Sequence, residues 1–364
     1  MDHHHGQHDD GHLHADHEHG GHLHTGLGHG GHHHEGDHDA AMAEVIELDA
    51  ALGGSYADEA AEWIAALAAG PVREAVDLGA GTGVGTLALA RRFPEARLTA
   101  VDVSPAMLER LRSAAEGAGP GSDAGAGAGA GSSSRLRTVE ADLDGGWVAA
   151  VRPSDPAANA QRGLSAGGPE HAGPAADVGW ADLAWASSSL HHVADPGSTL
   201  RGVFETLRPG GLLLVLELDG LPRFLEDAGE EPAALEQRCH RAVEAAGWNG
   251  HPDWGPVLEA AGFEPAGRRV FEVHAQDSPQ VRRFARLYLE RLQAGIGGPR
   301  PAGHAGHGHA TPRPGVAGPE PDPADRAALD ALLGHGLGSL DHLPVVGLRT
   351  RRTAWAARRP ANPS

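Results

Sequence analysis

The fold is decided by the stretch AVDLGAGTGVGTLALA, which occupies residues 75–90. Val76 and Leu78 are the apolar residues of a short predicted strand, and a glycine stands at every second position of 79–83. Such a turn lets a ligand approach the backbone and allows positive φ without steric cost. The apolar spacing after the turn predicts a helix. Its first N–H groups and its positive dipole end favour a carboxylate or a phosphate.

The spacing of the glycines excludes two common phosphate-binding turns. A dinucleotide fingerprint needs Gly-x-Gly-x-x-Gly, and the third position fails in both possible frames. A P-loop needs a lysine, and the sequence contains none. What remains is Asp77-x-Gly79-x-Gly81-x-Gly83, an acid followed by three alternating glycines. Taken alone, this pattern fits either a cofactor site or a purely structural strand–turn–helix unit.

Composition narrows the class of protein. The 364 residues carry 29 basic and 49 acidic side chains, a net charge of −20. Such a surface repels phosphate backbones, so we expect no nucleic-acid partner. The absence of lysine excludes Schiff-base and pyridoxal-phosphate chemistry, and a single cysteine, Cys239, excludes a disulfide framework. With no signal peptide and no apolar run longer than Leu212–Leu216, we expect a cytoplasmic protein without a membrane partner. The oligomeric state stays open.

Residues 1–40 differ from the rest, because they hold 15 of the 26 histidines and eight acids but no arginine. This composition predicts a disordered tail. Imidazoles and carboxylates are good ligands for Zn or Ni, although a solvated acidic tail explains the same composition. Three Gly/Pro/Ala-rich insertions, 117–134, 152–179 and 295–323, are expected to interrupt a single domain over 41–364. The candidate metal ligands are His3, His4, His5, His32, His33 and His34.

Acids follow the next two predicted strands. Asp102 ends the strand over 98–104 and lies 19 residues past Gly83. A carboxylate there can accept hydrogen bonds from ribose hydroxyls, or it can cap the helix that begins at Pro105. Asp142 follows the third strand, with Asp144 as the competing acid. Either could also be a plain turn residue.

Two further motifs complete the pattern. DLAWASSSLHHVADP occupies residues 182–196, and LRPGGLLLVLE follows at 207–217. With the glycine turn, these motifs resemble the small-molecule type of class I S-adenosylmethionine-dependent methyltransferases, similar to the quinone-biosynthesis and natural-product group. The resemblance covers residues 55–218. It implies an α/β fold with a doubly wound, mostly parallel seven-stranded sheet of Rossmann-like type, in which an antiparallel last strand is inserted.

The resemblance also implies S-adenosylmethionine as the cofactor and assigns its contacts. The three glycines would seat the methionine end, Asp77 would orient its amino group, Asp102 would hold the ribose and Asp142 would read the adenine. Neighbours of these motifs complete the predicted set. The cofactor-binding residues are Asp77, Gly79, Gly81, Gly83, Asp102, Val103, Asp142, Leu143 and Ser187.

His191 and His192 are the candidate catalytic residues. They lie past the carboxyl end of a central strand, where ligands bind in doubly wound sheets. Adjacent side chains of an extended segment point in opposite directions, so we expect at most one to face the cleft. A neutral histidine there could take a proton from a hydroxyl, or the pair could shape the pocket by bonding to loop backbone.

The sequence therefore predicts an enzyme that methylates a small molecule. Two other functions stay open. The first is a metal-buffering or metal-delivery protein with a non-catalytic domain of this type, and the second is a nucleoside-binding regulator.

Overall fold

The computed structural model describes residues 31–117, 135–153, 179–245, 247–248, 250–297 and 322–361. The interiors of the three expected insertions, and residues 1–30 of the tail, lie outside the described residues. The chain divides into two units, Met1–His38 and Asp39–Ser364. Only the start of one helix is described in the first unit. Within the described ranges, no helix has the length and apolar character that crossing a membrane requires.

Helices and strands alternate through the first part of the second unit, as the sequence predicted. The strands are β1 (Glu74–Leu78), β2 (Arg97–Asp102), β3 (Leu136–Glu140), β4 (Ala181–Ser187), β5 (Leu207–Leu218), β6 (Glu264–Ala275) and β7 (Leu348–Arg358). The helices are α1 (Gly31–Leu52), α2 (Tyr56–Leu67), α3 (Val84–Arg92), α4 (Pro105–Gly117), α5 (Trp147–Val151), α6 (Pro196–Thr206), α7 (Glu230–Ala245), α8 (Trp254–Ala260), α9 (Pro279–Gly297) and α10 (Pro323–Leu333). Short 3₁₀ turns stand at Leu190–His192 and Leu340–His342.

In the described ranges the strands form one seven-stranded sheet in the order β3-β2-β1-β4-β5-β7-β6. The first five strands in this order pair in parallel. Strand β7 lies between β5 and β6 and is antiparallel to both. The predicted fold class, a doubly wound and mostly parallel sheet with an inserted antiparallel last strand, is confirmed.

Apolar residues cover both faces of the sheet. On one face, Ile64 of α2 and Leu89 of α3 pack against Trp185 of β4. On the other, Val203 of α6 and Trp254 of α8 pack in a second cluster. Because both faces are covered, every residue of β1 is buried, and β5 reads as a continuous apolar run over Leu212–Leu216.

A third apolar cluster forms a cap, defined here as α7, α9, α10 and the segment 221–228 that follows β5. Phe224 and Phe284 meet edge to face in it, with ring centroids 5.1 Å apart. Val45 of α1 packs into the same cluster. Helix α1 therefore connects the cap to the rest of the second unit.

Some local expectations differ from the structure. Residues 208–211, predicted as a tight turn, belong to β5, where Gly210 has φ +83°. Neither α5 nor the 3₁₀ turn at Leu190–His192 was predicted, because each is too short to show an apolar period.

Candidate cofactor and acceptor site

The glycine turn follows β1 and leads into α3. Gly79, Gly81 and Gly83 have φ values of +71°, +53° and +96°, the region that glycine adopts without strain. A Cβ on Gly79 would overlap Ser189, and one on Gly83 would overlap Leu111. At Gly81 the nearest atom to such a Cβ is Ile46 Cδ1, 3.8 Å away. Protein packing therefore requires glycine at two of these positions, whereas Gly81 lies beside open space.

Asp102 lies next to this open space, at the end of β2. Its Oδ2 accepts a hydrogen bond from Gly81 N, and its Oδ1 accepts one from Ser104 N, both at 2.8 Å. The cap of α4 is Ser104, whose Oγ accepts from Met107 N at 3.3 Å. A carboxylate has about four lone-pair sites. Asp102 can therefore hold the turn and still accept hydroxyl hydrogen bonds.

Val103, the residue after Asp102, is exposed despite its large aliphatic side chain, with 42% of its surface accessible. Across the carboxyl edge, Leu143 is half-buried against the core and Ser187 is half-buried at the end of β4. The structure thus places these three predicted residues at the carboxyl ends of β2, β3 and β4.

Asp77 lies beneath the turn and is buried. Thr86 Oγ1 donates to Asp77 Oδ2 at 2.6 Å. Burial raises the pKa of the Asp77 carboxyl to about 7, with a smaller contribution from the charge of Asp102, while the Thr86 hydrogen bond opposes the rise. The sequence reading missed Thr86. One indication of this contact was present in the sequence, because Thr86 is a hydroxyl residue in the first turn of the helix that follows Asp77.

The structure separates the two acids that follow β3. Asp144 accepts hydrogen bonds from Ala194 N at 2.8 and 2.9 Å and from Asp195 N at 3.3 Å, so it joins its loop to the one before α6. Asp142 makes one local bond, in which its Oδ1 accepts from Asp144 N at 2.9 Å. Of the two, Asp142 has the carboxylate less engaged by the protein, with more capacity for a ligand.

The two histidines lie in a 3₁₀ turn, so the expectation of extended backbone is wrong. Their rings are side by side, with centroids 3.7 Å apart and planes at 55°. His191 Nδ1 lies 2.7 Å from Glu217 Oε2. The Glu217 side chain is fully buried, and that of His191 is 8% exposed.

Glu217 is the second residue that the sequence reading missed. Its signal was an acid within the otherwise apolar end of β5, LLLVLEL. A charge buried in a strand is rare unless it is paired, and here the partner comes from the loop after β4.

The candidate metal ligands cannot be placed in this way. His3, His4 and His5 lie outside the described residues, and the side chains of His32, His33 and His34 are not described either. Among the described residues no three His, Cys, Asp or Glu side chains are grouped as a metal site. Metal binding by the tail stays a prediction.

Comparison with known proteins identifies the type of domain. Residues 75–168 match the family model described as a methyltransferase domain. The chain is 51% identical over 55 residues to trans-aconitate 2-methyltransferase from Enterobacter sp. (strain 638), covering 15% of this chain and 22% of that protein. It is 30% identical over 188 residues to the Methylobacterium radiotolerans protein of the same name, covering 52% of this chain and 50% of that protein.

The matched regions thus span half or less of these curated relatives. Among solved structures, geranyl diphosphate C-methyltransferase from Streptomyces coelicolor A3(2) is 15% identical with a TM-score of 0.37. The alignment covers 83% of this chain and 75% of that one. The family match begins at the first residue of the glycine-turn stretch and confirms the resemblance to methyltransferases over residues 75–168.

Proposed function

We propose that this chain, which carries a methyltransferase domain, transfers a methyl group from S-adenosylmethionine to a small organic acceptor. The observation that carries the proposal is the arrangement at Gly81. An open, side-chain-free turn lies beside a partly exposed carboxylate, Asp102, and the two are joined by a hydrogen bond of 2.8 Å. The family match over residues 75–168 supports the same activity.

The residues present fit this cofactor. A Cβ at position 81 would narrow the space beside the turn. Because Gly81 has a positive φ, any other residue there would also be strained. The start of α3 provides N–H groups and a positive dipole end for a carboxylate such as that of the methionine moiety. Asp102 would accept hydrogen bonds from the ribose hydroxyls. The exposed side chain of Val103 and the half-buried one of Leu143 offer apolar surface for the base.

Two further residues predicted to contact the cofactor are acids. Asp77 would interact with the amino group beneath the turn, and Asp142 would accept from the adenine amino group. The bound cofactor supplies a methyl group activated by a sulfonium, so the protein mainly has to align the acceptor atom with it. Carboxylates near the site also favour the cationic cofactor over its neutral product. Ser187 would border the methyl group from the end of β4.

We propose a small molecule as the methyl acceptor and specify it no further. The curated relatives named above act on trans-aconitate, and the chain matches half or less of their length. In the structure, the cap and the turn at Leu190–His192 stand past the carboxyl ends of β4 and β5, where an acceptor would bind in a doubly wound sheet. We place the acceptor there.

Calorimetry of the full chain with S-adenosylmethionine tests the cofactor. We expect one site per chain, and binding that weakens in a Gly81 variant. Methyl transfer is then followed with methyl-labelled cofactor and a panel of small acceptors that includes trans-aconitate. Absence of cofactor binding would overturn the proposal and leave only the fold.

We further propose that the histidine-rich tail binds Zn²⁺ or Ni²⁺ loosely. The support is composition, because 15 histidines and eight acids lie in residues 1–40. Titration of the full chain and of a chain lacking residues 1–40 tests this. Equal metal uptake by both would contradict it. If the full chain binds metal but not S-adenosylmethionine, the metal-buffering alternative is favoured.

A further inference from the structure

We infer that Glu217 is a positioning residue that fixes His191 as a proton acceptor, so that the methyl acceptor is a phenol- or enol-type hydroxyl. This inference rests on the proposed methyl transfer and extends it to the class of substrate. It depends on the contact between two side chains, each from a different element at the carboxyl edge of the sheet.

The sheet topology explains how these side chains meet. Strands β4 and β5 are parallel neighbours with Ser187 opposite Leu216, and Ser188 N donates to Leu216 O at 2.8 Å. Glu217 is therefore the next residue of β5 beyond the last paired position of β4. The 3₁₀ turn that starts at Leu190 brings His191 over it, with Nδ1 and Oε2 2.7 Å apart.

The contact is enclosed. Glu217 is fully buried, and its second oxygen, Oε1, has no hydrogen-bond partner among the described residues. A buried carboxylate with one unsatisfied oxygen is costly and calls for a reason beyond packing. Orienting an imidazole is one such reason, because a histidine held by a carboxylate is the usual arrangement of a general base.

The pairing decides which nitrogen of His191 is basic. A carboxylate can only accept a hydrogen bond, so in the neutral imidazole the hydrogen stands on Nδ1. The lone pair is then on Nε2, on the opposite side of the ring from Glu217. A proton taken up at Nε2 produces an imidazolium that the Glu217 carboxylate stabilises at 2.7 Å.

The same turn is attached to the predicted cofactor site. Ser189, two residues before His191, donates through Oγ to Leu78 O at 2.7 Å. Its Cβ also lies within 2.4 Å of the position that a Cβ of Gly79 would take. The loop that carries His191 is thus fixed directly against the start of the glycine turn, which places the imidazole at the same edge of the sheet as the cofactor residues.

A base of this kind is useful only for some acceptors. A carboxylate is already ionised at neutral pH, so its methylation needs no proton acceptor. The buried negative charge of Glu217 would also repel it. A phenol or an enol keeps its proton near neutrality and becomes a strong nucleophile when the proton leaves. Imidazole is well matched to such hydroxyls, whereas aliphatic alcohols are much weaker acids.

The atoms balance as follows. One C–O bond forms between the acceptor oxygen and the methyl carbon, and one C–S bond breaks with its electron pair kept by sulfur. The hydroxyl proton goes to His191 Nε2 and leaves from there to solvent. The products are the methyl ether, S-adenosylhomocysteine and one proton, and no oxidant or reductant is needed.

The first test does not depend on activity. A long-range ¹H–¹⁵N correlation spectrum of the ¹⁵N-labelled full chain reports which ring nitrogen carries hydrogen, and the His191 signals are those absent from His191→Gln. We expect hydrogen on Nδ1 and a bare Nε2 in the parent protein, and loss of this preference in Glu217→Gln. Hydrogen on Nε2 in the parent protein would overturn the inference.

The second test separates positioning from a merely structural role. Methyl transfer to phenol is compared with transfer to 4-nitrophenol at pH 8, where the latter is already mostly ionised. We expect Glu217→Gln and His191→Gln to lower kcat for phenol about a hundredfold and to lower it only a fewfold for 4-nitrophenol. Equal losses with both acceptors would show that these residues only maintain the pocket.

Matched controls lie on the exposed part of β6. Glu272→Gln and His274→Gln make the same chemical changes at solvent-exposed positions and should leave both rates unchanged. Cofactor affinity is measured for every variant. If the parent protein binds S-adenosylmethionine but methylates only carboxylates such as trans-aconitate, or methylates no hydroxyl in a phenol and enol panel, this inference fails. Failure to bind the cofactor would instead count against the proposed function.

Discussion

The carboxylate of Asp102 accepts a hydrogen bond from the backbone N–H of Gly81 at 2.8 Å. These residues come from different βα units, and the proposal assigns them to different parts of one cofactor, Asp102 to the ribose and Gly81 to the methionine end. Because they are bonded to each other, the two halves of the site are positioned before any ligand arrives. Such preorganisation lowers the entropic cost of binding.

A variant at Gly81 tests whether the open space beside the turn belongs to the cofactor. Gly81→Ala meets only Ile46 Cδ1 at 3.8 Å, so its stability loss should come from positive φ and be about 1–2 kcal/mol. Gly210→Ala is the matched control, since Gly210 has φ +83° and no atom within 4 Å of an added Cβ. We expect similar unfolding midpoints in denaturant, with S-adenosylmethionine affinity lowered at least about tenfold in Gly81→Ala alone. Equal affinity in both variants would contradict the placement.

We expect Asp142 to contribute to cofactor binding and Asp144 to contribute to the stability of the fold. Asp142→Asn is expected to weaken cofactor binding by about 1.5–3 kcal/mol, the range for a hydrogen bond to a charged group, with little change in the free energy of unfolding. Asp144→Asn should do the reverse, because Asp144 accepts from the backbone of Ala194 and Asp195. Calorimetry and denaturant unfolding of both variants measure this. The reverse pattern would assign the adenine to Asp144.

Asp77 should make stability depend on pH. Its pKa is raised to about 7 by burial, against an ordinary value of about 4. The folded protein therefore holds a proton that the unfolded chain releases, and stability falls as pH rises from about 4 to about 7, by up to about 4 kcal/mol, and levels off above that range. Asp77→Asn removes this dependence and should raise stability relative to the parent protein more at pH 8 than at pH 5.

The same measurement has a clear negative outcome. If the stability difference between Asp77→Asn and the parent protein is the same at pH 5 and pH 8, the carboxyl does not titrate between those values. Thr86→Val removes the hydrogen bond that lowers the pKa of Asp77 and keeps the carboxyl, so the pH dependence should persist in this variant.

Two ion pairs of α1 should differ in their contribution to stability. Asp49 pairs with Arg352, whose side chain is 4% exposed, and its Oδ1 lies 2.6 Å from the guanidinium. Asp49→Ala leaves that charge buried and unpaired, so we expect a loss of about 3–5 kcal/mol. Glu47 pairs with Arg110 at 3.0 Å on the surface, and Glu47→Ala should cost less than about 1 kcal/mol. Thermal unfolding of both variants checks this, and equal losses would contradict it.

Much of the fold could be predicted because its signals are local. The glycine turn, the apolar strands and the helices that follow them are each visible within about 15 residues, and the structure confirms their order. The insertion of β7 between β5 and β6 has no local signal, since it pairs Leu216 with Ala354 across more than a hundred residues. It was predicted only from the family resemblance.

The candidate site was predicted where one motif carries both the residue and its neighbour. Gly81 was predicted from the glycine turn and Asp102 from its place at the end of the next strand, each within a short local pattern. Glu217 was not, because its significance lies in His191, which precedes it by 26 residues and meets it only through the pairing of β4 with β5. The geometry of the two histidines was also missed, since three residues of 3₁₀ turn leave no periodic pattern.

Strand β7 is hydrogen-bonded to β5 on one side and to β6 on the other. During synthesis β6 emerges from the ribosome more than 70 residues before β7 begins. Until β7 arrives, β5 lacks its second neighbour, and β6, an edge strand, has no partner in the sheet. The edge of the apolar strand β5 is therefore unpaired in the nascent chain and can pair with a wrong strand. Chaperone dependence and aggregation should therefore respond to changes near Leu348–Arg358 more than to changes in the glycine turn.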